Sequence, residues 1–198
     1  ILVKLTRLVQ IASNPRLIDR GYSEDPAKFK LLDELLFKRL RNNPSSKVIV
    51  WSSFVDNITE LCKRYREYGA VPLHGKISGD RRRAVVSSFK KDPATRLLIA
   101  NPAAAREGLT LIQANTVIYV DRTFNLVDYL QSQDRIHRIG QTKVCEVILM
   151  VAENSIDEYV DFSIEQKMRV ARYVQGDQAT LAASDAAFQK PAILAALI

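Results

Sequence analysis

The 198 residues carry 29 Lys and Arg against 22 Asp and Glu, a net charge of +7, with 47% hydrophobic and 26% charged content. This is the balance of a soluble globular chain long enough for one well-buried domain, and no apolar run approaches the roughly 20 residues of a membrane helix. Two isolated cysteines and two histidines offer neither a disulfide framework nor metal-ligand spacing, so Cys62 and Cys145 read as small core residues in a reducing, intracellular setting. The basic balance permits an anionic partner, nucleic acid being the commonest, without establishing one.

The opening Ile1-Leu2-Val3-Lys4-Leu5 has no initiator Met and no signal layout, and is expected to belong to a longer protein. Leu2, Leu5, Leu8, Val9 and Ala12 recur at helical spacing until Asn14-Pro15 stops the pattern. Residues 26–41 form a second helix, with Pro26 in its first turn and Phe29, Leu32, Leu35, Leu36 and Leu40 on one face. Residues 1–44 are thus a helical lead-in.

Strands then alternate with helices over 45–152. Val48–Trp51 is a continuous apolar run, as in a strand buried on both faces. A helix capped by Asp56 runs through Tyr68, with Ile58, Leu61, Cys62 and Tyr65 inward. Ala70–Leu73, Leu97–Ala100, Thr116–Val120 and Val144–Leu149 are further strands. Asp80–Lys90 and Leu126–Arg138 are helices between them. This alternation predicts an α/β fold, a parallel sheet with helices on both faces. Ser155 opens a closing helix over 153–177, with Asp157 and Glu158 where the helix dipole favours them and Ile156, Tyr159, Val160, Ile164 and Met168 packed. Residues 178–198 are an Ala-rich tail.

Two tempting motifs do not hold. His74-Gly75-Lys76-Ile77 has its upstream Gly69 one position too far for a phosphate-binding loop, and Ile77 has no hydroxyl for Mg²⁺. Asp33-Glu34 sits in a helix rather than at a strand end, and reads as a solvated face. The chain is therefore not expected to hold ATP phosphates by itself.

Residues 131–141 are more informative. A helix continuing through Arg138 would put Arg135 and Arg138 on one face, and paired guanidinium forks suit the developing charge of a phosphate held by another domain. The alternative is a salt-bridged, exposed helix end. Arg81-Arg82-Arg83, at a helix start where cations oppose the dipole, is either a solvated face or an anion contact. His137 reads as a packing and hydrogen-bonding residue, and Trp51 and Phe54 as core.

Gln131-Ser132-Gln133-Asp134-Arg135-Ile136-His137-Arg138-Ile139-Gly140-Gln141 resembles motif VI of the Swi/Snf family within superfamily two helicases. Val48 to Phe54 resembles motif IV. Leu73-His74-Gly75, Arg81-Arg82-Arg83 and Phe89 resemble the block that follows it. Leu98 to Pro102 and Glu107 to Leu111 resemble motif V. Asn14-Pro15 resembles the pair preceding the second lobe, and Ile156 to Tyr159 through Gly176-Asp177 the closing helix.

The resemblance implies a RecA-like (P-loop NTPase-type) C-terminal lobe, with Arg135 and Arg138 as arginine fingers to ATP and Mg²⁺ bound by a first lobe this chain lacks. It implies no cofactor on this chain alone, which would be an inactive monomer without the rest of the DNA-dependent ATPase. Gln131 would help place the arginines, and Glu107 and Gly108 would lie at the lobe interface. Ser52, Ser53, Gly75, Lys76, Asn101 and Arg106 would meet the DNA backbone. Where the family has Ser/Thr-Thr-Lys-Ala-Gly-Gly, this chain has Asn101-Pro102-Ala103-Ala104-Ala105-Arg106. A hydroxyl and a lysine are lost, Pro102 offers no N–H, and Arg106 restores a charge. That departure inclines toward a prokaryotic, cytoplasmic protein, a eukaryotic one being nuclear. Two rivals stand beside this reading: a non-catalytic nucleic-acid-binding module on the same fold, and an unrelated nucleotide- or metabolite-binding α/β domain. The second has no glycine-rich loop after any predicted strand to support it.

Overall fold

The computed structural model describes residues 1–106 and 108–174, the side chains of Ala105 and Arg106 excepted. Glu107, Gly176-Asp177 and the Ala-rich tail at 178–198 lie outside the described residues.

Continuous apolar runs become the strands of one parallel sheet. β1 (Val48–Trp51) and β3 (Leu97–Ala100) are buried at every position, as is β4 (Thr116–Tyr119). β2 (Val71–Leu73) and β5 (Glu146–Leu149) complete the order β2-β3-β1-β4-β5. Every pairing is parallel, with Val48 opposite both Leu97 and Thr116. Pro72 lies in β2, an edge strand, where its missing N–H costs least.

Two apolar layers sandwich the sheet. On one face Val48, Val50, Leu97, Ile99, Ile118 and Val120 meet Phe29, Leu32, Leu36 and Leu40 of α2 (Ala27–Asn42) and Ile58 and Leu61 of α3 (Val55–Arg64). On the other, Ile49, Trp51, Leu98, Val117 and Tyr119 meet Val9 of α1 (Leu2–Ser13) and Phe89 of α4 (Gly79–Lys91). Tyr129 of α5 (Leu126–Gln133) and Ile156, Val160 and Ile164 of α6 (Ile156–Val174) pack on that same face. Each fully buried Leu or Ile contributes about 1.5–3 kcal/mol relative to exposure. Lys28 ties the layers together: it pairs with Asp157 at 2.5 Å and donates to the Val120 carbonyl at 2.8 Å, with its side chain only 7% exposed.

Several expectations need correction. Asp56 does not cap α3; Phe54 holds the N-cap position and Asp56 lies in the first turn. The helix stops at Arg64 because the chain turns through a short 3-10 segment into Gly69, at φ 64°. A Cβ there would come within 2.1 Å of the Ala94 carbonyl oxygen, so only glycine fits. Of Asp33-Glu34, Glu34 is exposed as expected, whereas Asp33, its side chain 40% exposed, also takes hydrogen bonds from Arg64 and from the Tyr65 hydroxyl, tying α2 to the end of α3. Trp51 lies in the core as expected, fully buried beside Tyr119 at 6.4 Å, and Phe54 packs against the same core, partly buried. The cysteines are half-buried rather than enclosed, and burial pushes the Cys62 thiol up to about 12, which keeps it inert.

Candidate functional site

The 131–141 segment is not one helix. α5 is capped by Asn125, whose side-chain oxygen accepts from the Val127 and Asp128 N–H groups, and it ends at Gln133. Beyond it the chain turns because its groups are claimed elsewhere. The Arg135 carbonyl accepts from Leu111 N at 2.8 Å, and Ile136 is driven fully into the core. Gly140, at φ 98°, then reverses the chain. Gln141 Nε2 clamps the loop by donating to the carbonyls of Ile112, Ala114 and Ile136 at 3.2, 2.9 and 3.4 Å.

The expected pairing of Arg135 and Arg138 on one helical face is therefore replaced by two different settings. Arg135 is 8% exposed, with Nε on the Gln131 carbonyl at 2.6 Å and Nη1 on the Leu109 carbonyl at 3.3 Å. Burial and then the Arg138 charge push its pKa below the ordinary arginine value, Asp134 opposing. Arg138 is exposed, and its Nη1 rests on the Gly108 carbonyl at 3.0 Å. Among the described residues neither forms an ion pair with a carboxylate, so the salt-bridged helix end is not what forms. Both arginines line an open cleft of about 840 Å³ with Gly108, His137, Gln141 and Lys143. His137 is exposed on that cleft instead of packed inside. Gln131 supports Arg135 through its main-chain carbonyl, while its side-chain oxygen is buried without a hydrogen-bond partner among the described residues.

At the carboxyl ends of β1 and β3 the proposed backbone-contacting residues separate into two groups. Gly75 and Lys76 are exposed after β2. Ser53 and Asn101 are half-buried, joined by Asn101 Nδ2 donating to the Ser53 carbonyl at 2.9 Å, and line a second cavity of about 230 Å³. Ser52 does not belong with them. It is fully buried and its hydroxyl donates to Asp121 at 2.7 Å, so it faces inward. The Arg106 side chain, like Glu107, is outside the described residues. In the triple arginine, Arg83 pairs with Asp80, Arg82 donates to the Ala104 carbonyl and Arg81 is exposed. Sequence reasoning missed Asp121 and Gln141. A lone acid directly after the apolar run of β4 was the available signal for the first; the second shows itself only once the turn exists.

A parallel five-stranded sheet with its chemistry at the strand ends and an arginine-lined cleft defines a RecA-like C-terminal helicase lobe. The helicase conserved C-terminal domain family matches residues 27–140, more than half of the chain, and the chain belongs to that family. Within it the chain is a lobe of the Swi/Snf type. It is 30% identical over 157 residues to the chromatin-remodeling ATPase INO80 of Candida glabrata, covering 79% of this chain and 10% of that protein. It is 33% identical over 146 residues to human lymphoid-specific helicase, covering 72% and 17%. The Sulfolobus solfataricus SWI2/SNF2 ATPase core in complex with dsDNA superposes with a TM-score of 0.70 at 26% identity, over 88% of this chain and 36% of that one. The C-terminal part of the Fun30 ATPase domain gives 0.65 at 26% identity, over 80% and 53%. The chain thus spans a small part of its curated relatives. The inclination toward a prokaryotic source finds no support among those relatives, which are fungal and human.

Proposed function

We propose that this chain is the second motor lobe of an ATP-dependent translocase on duplex DNA, presenting Arg138, backed by Arg135, to ATP on a preceding lobe. The observation that carries this is the contrast between them: one guanidinium fixed in the wall, its neighbour exposed in the same cleft. Two cations share the cleft with Lys143, so an anion is the favoured guest. The cationic lining of the cleft suits the terminal phosphates of a nucleotide. In this reading ATP and Mg²⁺ are held mainly by the preceding lobe, with Gln131, Glu107 and Gly108 at the interface. Ser53, Gly75, Lys76, Asn101 and Arg106 meet the DNA backbone. Its relatives' description as chromatin-remodeling ATPases supports a nuclear setting. In the protein that includes the preceding lobe, Arg138→Ala is expected to cut kcat about 10³-fold. Unchanged turnover would remove Arg138 from the role. The isolated chain is expected to show negligible ATPase activity, and its DNA affinity to fall steeply with salt.

A further inference from the structure

We propose that Asp121 is a positioning residue that sets the DNA-facing ends of β1 and β3 and makes that setting depend on the seating of α1. This rests on the DNA-backbone reading above. Asp121 is 2% exposed, at the carboxyl end of β4. Ser13 Oγ and Ser52 Oγ donate to its Oδ2 at 2.8 and 2.7 Å, Asn57 Nδ2 at 3.4 Å, and the Ser53 main-chain N–H donates to Oδ1 at 2.7 Å. These neutral donors come from α1, from the end of β1 and from α3.

The cage extends in two directions. Outward, the Ser53 carbonyl receives Asn101 Nδ2 at 2.9 Å, which brings in the end of β3, and Asn101 Oδ1 accepts from Ala103 N at 2.9 Å. The carboxylate thus holds the N–H of the same residue, Ser53, whose carbonyl the Asn101 amide rests on, and Ser53 and Asn101 both border the 230 Å³ cavity at the strand ends. Inward, Asn57 Nδ2 donates to Ser13 Oγ at 2.8 Å, and Asn57 Oδ1 accepts from Asn14 Nδ2 at 2.9 Å. Ser13 and Asn14 close the helix through which the chain enters the lobe. A displaced α1 would leave a buried carboxylate short of a donor, which is costly, so the cage relaxes around Ser53. The entering helix and the strand ends are coupled through one side chain.

The test measures binding of the 198-residue chain to a short fluorescent duplex, with melting temperature followed in parallel. Asp121→Ala is expected to weaken binding about tenfold at fixed salt, the scale of one or two lost hydrogen bonds. The slope of log Kd against log salt stays unchanged, because the lost contacts are neutral. Asn101→Ala combined with Asp121→Ala binds no worse than the weaker single variant, since both act through one contact. Asp121→Asn returns to within about threefold, because its amide oxygen keeps the Ser53 N–H and the serine hydroxyls can turn to accept. Normal binding by Asp121→Ala with only a lowered melting temperature would overturn the proposal, as would fully additive losses. If Asp121→Ala does not fold, Ser13→Ala carries the test, with about threefold weaker binding expected and wild-type binding refuting it. Failure of the unaltered chain to bind any duplex would sink the DNA reading itself, and this inference with it.

Discussion

In the arginine cleft, Arg138 is exposed and leans on the Gly108 carbonyl, whereas at the strand ends Asp121 is enclosed and receives hydrogen bonds from Ser13, Ser52, Ser53 and Asn57. Both regions are built from polar side chains, and the difference lies in where their partners are. The cleft leaves cationic capacity turned outward, to be met by something else. The cage spends its capacity internally and delivers geometry, not contact. A polar residue at a strand end is thus no guide to ligand binding until its partners are counted.

That contrast breaks first at Arg138. The roughly 10³-fold loss of turnover expected for Arg138→Ala should come with a change in unfolding free energy within about 0.5 kcal/mol, as for an exposed side chain. Arg135→Ala should lower turnover too, but also cost about 1–3 kcal/mol in urea melts, because it strips donors from the Gln131 and Leu109 carbonyls. Equal stability losses for both would show that they share one environment.

Next in size is Ile136→Ala. Ile136 is fully buried between the two arginines in sequence and pins the turn to the core. Removing it is expected to destabilise the lobe by about 2–5 kcal/mol, and a loss below about 1 kcal/mol would mean that the turn is held by the Gln141 clamp instead.

Ser52→Ala and Lys76→Ala sharpen the strand-end side. The first should cost about 1–3 kcal/mol of stability, since it leaves Asp121 one donor short. The second should leave stability untouched and reduce the salt slope of DNA binding by about one unit. Reversed outcomes would exchange the two residues' roles.

How far the fold could be read depended on whether the deciding forces were local. β1 and β3 lie where their apolar runs place them, because burial on both faces leaves only such residues. The closing helix likewise packs Ile156, Val160 and Ile164 at the expected spacing. The end of α5 was not readable: helical spacing continues through Arg138, and what stops the helix is a hydrogen bond from Leu111, distant in the chain. Ser52 and Ser53 are adjacent, yet strand alternation turns one hydroxyl to Asp121 and leaves the other residue at the cavity rim. Asp33 had no local sign that Arg64 would reach it. The arginines were identifiable as residues and not as geometry.

The smallest effect tests the proposed DNA face directly. His74 precedes Gly75 and Lys76, and burial, then the Lys76 and Arg81 charges, hold its pKa below the ordinary 6.5. A folded-state pKa below the unfolded value means that the unfolded chain takes up the proton first. This contribution therefore costs nothing above the unfolded pKa and destabilises the fold as pH falls toward the folded pKa. A phosphate bound beside Lys76 and Arg81 would offset those cations and raise the value. NMR titration of the His74 ring should accordingly show a pKa below 6.5 in the free chain and a higher one with saturating duplex DNA. No shift at His74 would take the phosphate away from Gly75 and Lys76.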